Sequence, residues 1–184
     1  MNNRKRTITI TMCALFTALT AVCSQIQIPL PQIPINLALF AVGMAGALLG
    51  AGYGALSMIV YVLLGAVGVP VFAGFKGGFA AVTGPTGGYI VGYIACAWLV
   101  GFIIKHTNDK IYMMVIAMVA GFAVCYILGT AWYMTISGNS LKVALTYCVF
   151  PFLPGDAVKI ILATLISNRV RHLAGEIYEL NTNK

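Results

Sequence analysis

Long apolar stretches dominate the pattern of this chain, and short segments rich in charge, glycine or proline separate them. Six of these stretches are candidates for membrane-spanning helices, since about 20 apolar residues cross a bilayer. They cover residues 8–26, 36–49, 55–69, 88–104, 112–136 and 154–168. The second, third and sixth are short for a full span. The pattern therefore predicts an all-α integral membrane protein with six transmembrane helices.

The composition excludes a soluble domain. Hydrophobic residues fill 60% of the 184 positions and charged residues only 8%, which is far from the average of soluble proteins. With roughly 20 residues for each span, six spans and their connections occupy the whole length. We therefore expect a single transmembrane domain over residues 1–184.

Positive charges are distributed unevenly between the two sides that six spans define. The side of the termini holds Arg4, Lys5, Arg6, Lys105, Lys110, Arg169, Arg171 and Lys184, the opposite side holds Lys76 and Lys142, and Lys159 lies inside the last span. Because cytoplasmic segments carry excess Lys and Arg, both termini are predicted to be cytoplasmic, with a basic segment over 1–7 and a tail over about 170–184. This orientation accounts for the net charge of +7 without a nucleic acid as a partner. It also places the Gly- and Pro-rich connections on the outer side of the membrane.

One acidic residue lies inside a predicted span. Asp156 is followed three residues later by Lys159, and residues at this spacing share a helix face. Pro154 is favoured in a first helical turn, which places Asp156 near the positive end of that helix. Charges at bilayer depth are costly and often functional, so we expect the pair to contact a substrate. The alternative is a mutually neutralising pair that only joins helices.

Glycines recur every four residues at the start of the fourth span, at Gly84, Gly88 and Gly92. This spacing presents a flat strip for close helix packing, and packing alone would account for it. The strip also opens a helix at the outer face, with Pro85 and Thr86 in the first turn. Free amides at such an end suit a ligand carboxylate or carbonyl, so the segment is a second candidate for substrate contact.

Other patterns point away from enzymatic chemistry. The sequence has no Gly-x-x-x-x-Gly-Lys-Ser/Thr loop for ATP, no plausible nucleophile with a base, and no metal-ligand spacing. We expect no catalytic residue, metal or cofactor.

The five scattered cysteines are expected to be buried. Ala14 and Ala18 form a small-residue face on the first span, for internal packing or for another membrane protein.

Five segments, in order, resemble the BioY family, the biotin-binding S components of energy-coupling factor (ECF) vitamin transporters. They are residues 28–36, 46–50, 61–74, 84–89 and 154–159. The succession of Gly-Pro-Thr-Gly-Gly-Tyr and Pro-Gly-Asp-x-x-Lys is the most specific part. One segment departs from the family, whose first outer loop typically reads Pro-Ile-Thr-x-Gln. Here it reads Pro-Ile-Asn-Leu-Ala, which leaves Asn36 as a substitute for the threonine.

The resemblance implies an S-component-like bundle with an outward-facing pocket, in the plasma membrane of a prokaryote. Such a protein captures biotin with high affinity and hands it inward with a transmembrane T component and two ATP-binding-cassette ATPases. In that group an Ala-x-x-x-Ala face, here Ala14 and Ala18, docks on the T component. An S component for another vitamin, a solitary secondary transporter and a structural membrane protein are the alternatives.

The chemistry of biotin suggests a role for each candidate residue. Its ureido group needs a hydrogen-bond acceptor, its apolar bicycle needs aromatic walls and its carboxylate needs a cation. We expect Asp156 to accept from the ureido N–H groups and Lys159 to bind polar oxygens of the ligand. The other expected contacts are walls from Phe72, Phe79 or Tyr89 and outer-loop donors around Asn36, Lys76, Thr86 and Gly87.

Overall fold

A computed structural model describes residues 3–30, 33–107 and 110–182, with side chains described from 6 to 173 within these ranges. Of the cations used to predict orientation, the side chains of Arg4, Lys5 and Lys184 lie outside the described residues. The described elements are α1 (Asn3–Gln25), β1 (Gln27–Ile28), β2 (Ile35–Asn36), α2 (Ala38–Ala66), α3 (Phe79–Thr83), α4 (Gly87–His106), α5 (Ile111–Ser137), α6 (Leu141–Cys148) and α7 (Leu153–Thr182). The predicted helical class is confirmed.

Among the described residues, four helices are long and apolar enough to cross a membrane: α1, α2, α4 and α5. A fifth span results if α6 and α7, which are bent by 51° at a short break, are counted as one. This is fewer than the six predicted spans. The predicted spans 36–49 and 55–69 both overlap α2, so that one helix stands where the sequence predicts two spans.

A sharp break at Gly50 divides α2. This residue has φ 78° and ψ 178°, a conformation that glycine adopts without steric cost. A Cβ added to Gly54 would lie 3.0 Å from the Ala45 carbonyl oxygen, although these residues would be about 13 Å apart along a straight helix. The two arms of α2 therefore fold back on each other as an antiparallel pair.

The centre of the bundle is α4, which packs between α2 and α5 through glycines. A Cβ on Gly46 of α2 would lie 2.5 Å from the Ala97 carbonyl oxygen of α4. On the other side, Cβ atoms on Gly88 and Gly92 would lie 2.8 Å from the Leu128 carbonyl oxygen and 3.1 Å from Cys125 Sγ. The packing interpretation of the glycine strip is confirmed at these two positions.

The break between α6 and α7 follows the prolines. The turn over residues 149–152 contains Pro151, and α7 begins at Leu153, so that Pro154 and Asp156 lie in its first turn as predicted. The Asp156 N–H donates to the Phe152 carbonyl oxygen at 2.9 Å. The helix continues to Thr182, well beyond the predicted end at residue 168.

Two short strands form in the connection between α1 and α2, for which the sequence predicts irregular structure. They pair antiparallel, with Gln27 opposite Asn36 and Ile28 opposite Ile35. Because Asn36 belongs to this ribbon, the second helix begins at Ala38 rather than at residue 36. Similarly, α4 begins at Gly87 with Thr86 just before it, so Pro85 and Thr86 precede the first turn rather than forming it.

Candidate substrate-binding site

A cavity of about 730 Å³ opens at the end of the bundle where α4 begins. Its walls come from the β1–β2 ribbon, α2, the loop between α2 and α3 with α3 itself, the start of α4, and single residues of α5 and α7. The predicted site residues that line it are Asn36, Phe72, Lys76, Thr86, Tyr89 and Lys159. The fold therefore gathers six of the nine predicted substrate contacts, from four separate segments, around one cavity.

The base of the cavity is a buried ionic network. Lys159 Nζ lies 2.8 Å from Asp156 Oδ1, and the Tyr126 hydroxyl donates to Asp156 Oδ2. Asp156 is 4% exposed and Lys159 7% exposed. A charge buried this deeply is tolerated only when it is paired and hydrogen-bonded. Both carboxylate oxygens are engaged, and Lys159 and Tyr126 face the cavity whereas Asp156 lies behind them.

Tyr89 connects three elements beside this network. Its hydroxyl donates to the Cys148 carbonyl oxygen at 3.2 Å and lies 3.3 Å from Thr130 Oγ1. Its ring packs edge-on against Tyr126, with centroids 6.1 Å apart. Gly129 makes room for the Tyr89 ring, since a Cβ at that position would overlap it. Tyr89 is therefore a fixed wall rather than a mobile one.

Further aromatic rings complete the wall. Phe72 packs edge-on against Tyr61 at 5.5 Å, and Phe152 packs against Tyr126 at 6.1 Å. Tyr93 lies 6.2 Å from Tyr61, and all of these rings line the cavity. This lining of flat apolar faces with hydroxyl groups at their edges suits a ligand with an apolar ring system and polar ends.

Polar groups lie around the mouth of the cavity. Asn36 Oδ1 accepts from the Ala38 N–H at 3.1 Å, which forms a side-chain turn leading into α2. Lys76 pairs with Phe72 in a two-residue bridge, and its ammonium group is the cation of this loop. Thr86 makes no side-chain bond to the start of α4, which leaves its hydroxyl available to a ligand.

Two predicted contacts lie elsewhere. Phe79 is 71% exposed and is not part of the cavity wall. Gly87 also lies outside the lining, because it packs against the Val82 carbonyl where a Cβ would not fit. Phe79 therefore supplies no wall in this arrangement, and Gly87 acts through close packing.

The site residues that escaped prediction from the sequence include Gln27, Tyr61, Tyr93, Tyr126 and Phe152. Tyr93 follows Tyr89 by four residues and so shares its helix face, a spacing that was available in the sequence. Gln27 lines the cavity with a buried Oε1 that has no hydrogen-bond partner. Because an unsatisfied buried acceptor costs about 1–3 kcal/mol, a ligand N–H group is a suitable partner for it.

Two further predictions concern residues away from the cavity. All five cysteines are buried and free, as expected. Ala14 and Ala18 are exposed on α1, while Phe16 and Thr20 on the same helix are buried. No group of three metal-binding side chains occurs among the described residues.

Comparison with known proteins identifies the family. The model of the BioY family matches residues 1–176. The chain belongs to the BioY family. The biotin transporter BioY of Thermotoga maritima is 37% identical over 162 residues, which cover 88% of this chain and 95% of that protein. The biotin transporter BioY of Rhizobium etli is 31% identical over 178 residues, covering 92% and 94%.

A solved structure of similar fold agrees with this membership of BioY. It is the S component for biotin from an ECF-type ABC transporter, with a TM-score of 0.86 and 31% sequence identity. The match covers 94% of this chain and 95% of that one. The expected family and S-component-like fold are therefore confirmed, and the relatives are transporters rather than enzymes.

Proposed function

We propose that this protein captures biotin with high affinity and takes part in its uptake as the substrate-binding S component of an ECF transporter. The observation that carries the proposal is a cavity with the buried Asp156–Lys159 pair at its base and aromatic walls above, in a chain of the BioY family. A cavity of about 730 Å³ is within the usual range for a small-molecule site.

Lys159 is the proposed direct contact at the base. Asp156 uses one of the three ammonium hydrogens, so the others can serve a ureido or carboxylate oxygen of biotin. Because Asp156 lies behind Lys159 and Tyr126, its proposed role is to orient both groups and to neutralise the ammonium charge. This differs from the sequence-based expectation that Asp156 accepts directly from the ureido N–H groups.

The remaining polar ends of biotin have candidate partners in the ribbon and the loops. The free Gln27 Oε1 is a proposed acceptor for a ligand N–H group. Asn36 and Thr86 are proposed hydrogen-bonding partners at the mouth. Lys76 is the proposed partner of a carboxylate near the opening, since it is the cation of the loop that lines this side.

The proposed topology has six spans, with both termini cytoplasmic in the plasma membrane of a prokaryote. The two arms of α2 count as two short spans because they fold back at Gly50, and α6 with α7 counts as one. Lys105 lies in the last turn of α4 and Lys110 just before α5, at the opposite end from the cavity. By the positive-inside rule this end is cytoplasmic, so the cavity opens outward.

The proposed partners are a transmembrane T component and two ATP-binding-cassette ATPases. The sequence has no phosphate-binding loop for ATP, so energy for uptake would come from such partners. The exposed Ala14 and Ala18 offer α1 a flat face for close approach of another helix. We propose this face as the T-component contact, and we propose no cofactor besides the transported biotin.

Uptake of radiolabelled biotin by cells that lack other biotin transporters tests this function. Cells that express this chain with an ECF module should accumulate label, and excess unlabelled biotin should abolish the signal. Uptake that does not depend on the ATPases would contradict the S-component role. Competition by another vitamin but not by biotin would contradict the substrate.

A further inference from the structure

The loop that roofs the cavity folds into a tight hairpin. Phe72 and Lys76 pair in both directions, with N–H to carbonyl oxygen distances of 3.0 and 3.2 Å. Phe75, at the tip, has φ 56° and is the one residue other than glycine with positive φ in the described part of the chain. This left-handed conformation is strained for a bulky residue, so contacts outside the hairpin must stabilise it.

The side-chain amide of Gln25 supplies these contacts from the end of α1. Its Oε1 accepts from the Phe75 N–H at 2.9 Å. Its Nε2 lies 3.2 Å from the Val71 carbonyl oxygen and 3.1 Å from that of Phe72. One amide therefore binds the first strand and the tip of the hairpin, across 46 to 50 residues of sequence.

The same amide is itself held in place. Nε2 also lies 3.3 Å from the Ala21 carbonyl oxygen, one turn back in α1. The neighbouring Ser24 binds the Tyr61 hydroxyl at 2.7 Å, and that hydroxyl donates to the Val71 carbonyl oxygen at 3.1 Å. The end of α1 thus determines where the hairpin lies relative to the cavity.

We propose that Gln25 is a positioning residue for the substrate site, which holds the 72–76 hairpin over the cavity with Phe75 in its left-handed conformation. This inference rests on the proposed function, because Phe72, Phe75 and Lys76 of that hairpin line the cavity assigned to biotin. Gln25 does not line the cavity. It acts on the ligand through the hairpin and therefore controls how long biotin stays bound.

Replacement of Gln25 by methionine, which has similar length and no amide, tests the proposal. We expect the biotin dissociation rate to rise about tenfold, the size expected when roughly two net hydrogen bonds are lost, with a smaller change in the association rate. Amide hydrogen exchange over residues 71–78 should become faster in the same variant, with or without biotin. Thr11→Val is the matched control, because the Thr11 hydroxyl bonds only within α1, to the Thr7 carbonyl oxygen, and it should change neither quantity.

Hydrogen exchange separates failure of this inference from failure of the proposed function. Wild-type protein that protects the Phe75 amide but binds no biotin would contradict the function and leave the role of Gln25 in the hairpin supported. Normal dissociation and unchanged exchange in Gln25→Met would overturn the inference, and so would faster dissociation with unchanged exchange. If Gln25→Met does not fold, Gln25→Glu retains the acceptor for Phe75 and should keep its amide protected. An unprotected Phe75 amide in wild-type protein would overturn the inference without any variant.

Discussion

The base and the roof of the cavity are built in different ways. At the base, Tyr126, Asp156 and Lys159 lie on two long helices, and the ion pair joins residues three apart on one helix. At the roof, a hairpin at 72–76 is held by hydrogen bonds from one side chain, Gln25, 46 to 50 positions away. Helix geometry fixes the base, whereas a few polar contacts fix the roof. We therefore expect changes at the base to weaken or abolish binding and changes at the roof to alter its kinetics.

The largest expected effect is at the base. Lys159→Met leaves the buried Asp156 carboxylate without its cation, which costs about 3–5 kcal/mol, and it removes the proposed ligand contact. Biotin binding should become undetectable, and the melting temperature should fall by several degrees. Titration calorimetry and thermal unfolding measure the two effects.

The double variant Asp156→Asn, Lys159→Met separates binding from stability. It removes both charges, so most of the lost melting temperature should return while biotin binding stays absent. If the double variant bound biotin normally, the pair would be a structural ion pair only, and the proposed site would be wrong.

Tyr126→Phe should have the next largest effect. It keeps the ring but removes the donor to Asp156, and a hydrogen bond to a charged group contributes about 1.5–3 kcal/mol. Biotin affinity should fall by about 10- to 100-fold. Tyr133→Phe is the control, since Tyr133 is also buried on α5 but bonds Asn139 and lies outside the cavity. Equal affinity losses in the two variants would contradict a specific role for Tyr126.

Gly65→Ala should affect the roof. A Cβ on Gly65 would overlap the Phe72 ring, so Phe72 must shift and carry the hairpin with it. Such overpacking costs about 1–3 kcal/mol, and we expect faster biotin dissociation, measured by label exchange. Gly52 lies in the same helix with open space around it, so biotin should dissociate from Gly52→Ala at the wild-type rate. Identical rates in all three proteins would show that the Phe72 position is unimportant.

The smallest expected effect is that of Phe79→Ala. The side chain is 71% exposed and lies outside the cavity, so affinity should change less than twofold in the same titration. A large loss of affinity would show that Phe79 contacts the ligand as the sequence predicts, and would mean that the roof closes further over the ligand.

Most of the base could be predicted from the sequence, because local spacing determines it. Asp156 and Lys159 at i and i+3, after a helix-opening proline, share one face wherever the helix lies. Tyr126 could not be assigned, because a tyrosine in an apolar span has the same pattern whether it faces a site or the lipid. Its bond to Asp156 joins residues 30 positions apart.

The roof could not be predicted beyond its composition. The glycines and prolines of residues 70–85 indicate irregular structure, but not which residue takes positive φ or which side chain holds it. Gln25 ends an apolar helix, and its partners are backbone atoms of a distant loop. Every residue carries the same backbone groups, so the sequence does not indicate which of them bind a given side chain. The break at Gly50, by contrast, lies where the sequence pattern separates the predicted spans 36–49 and 55–69.

Equilibrium titration of the purified, ligand-free protein with biotin tests the central claim most directly. We expect saturable, high-affinity binding of one biotin per chain, and no binding by the folded Asp156→Asn, Lys159→Met double variant. Folded wild-type protein that binds no biotin, or a double variant that binds it as tightly as wild type, would contradict the account.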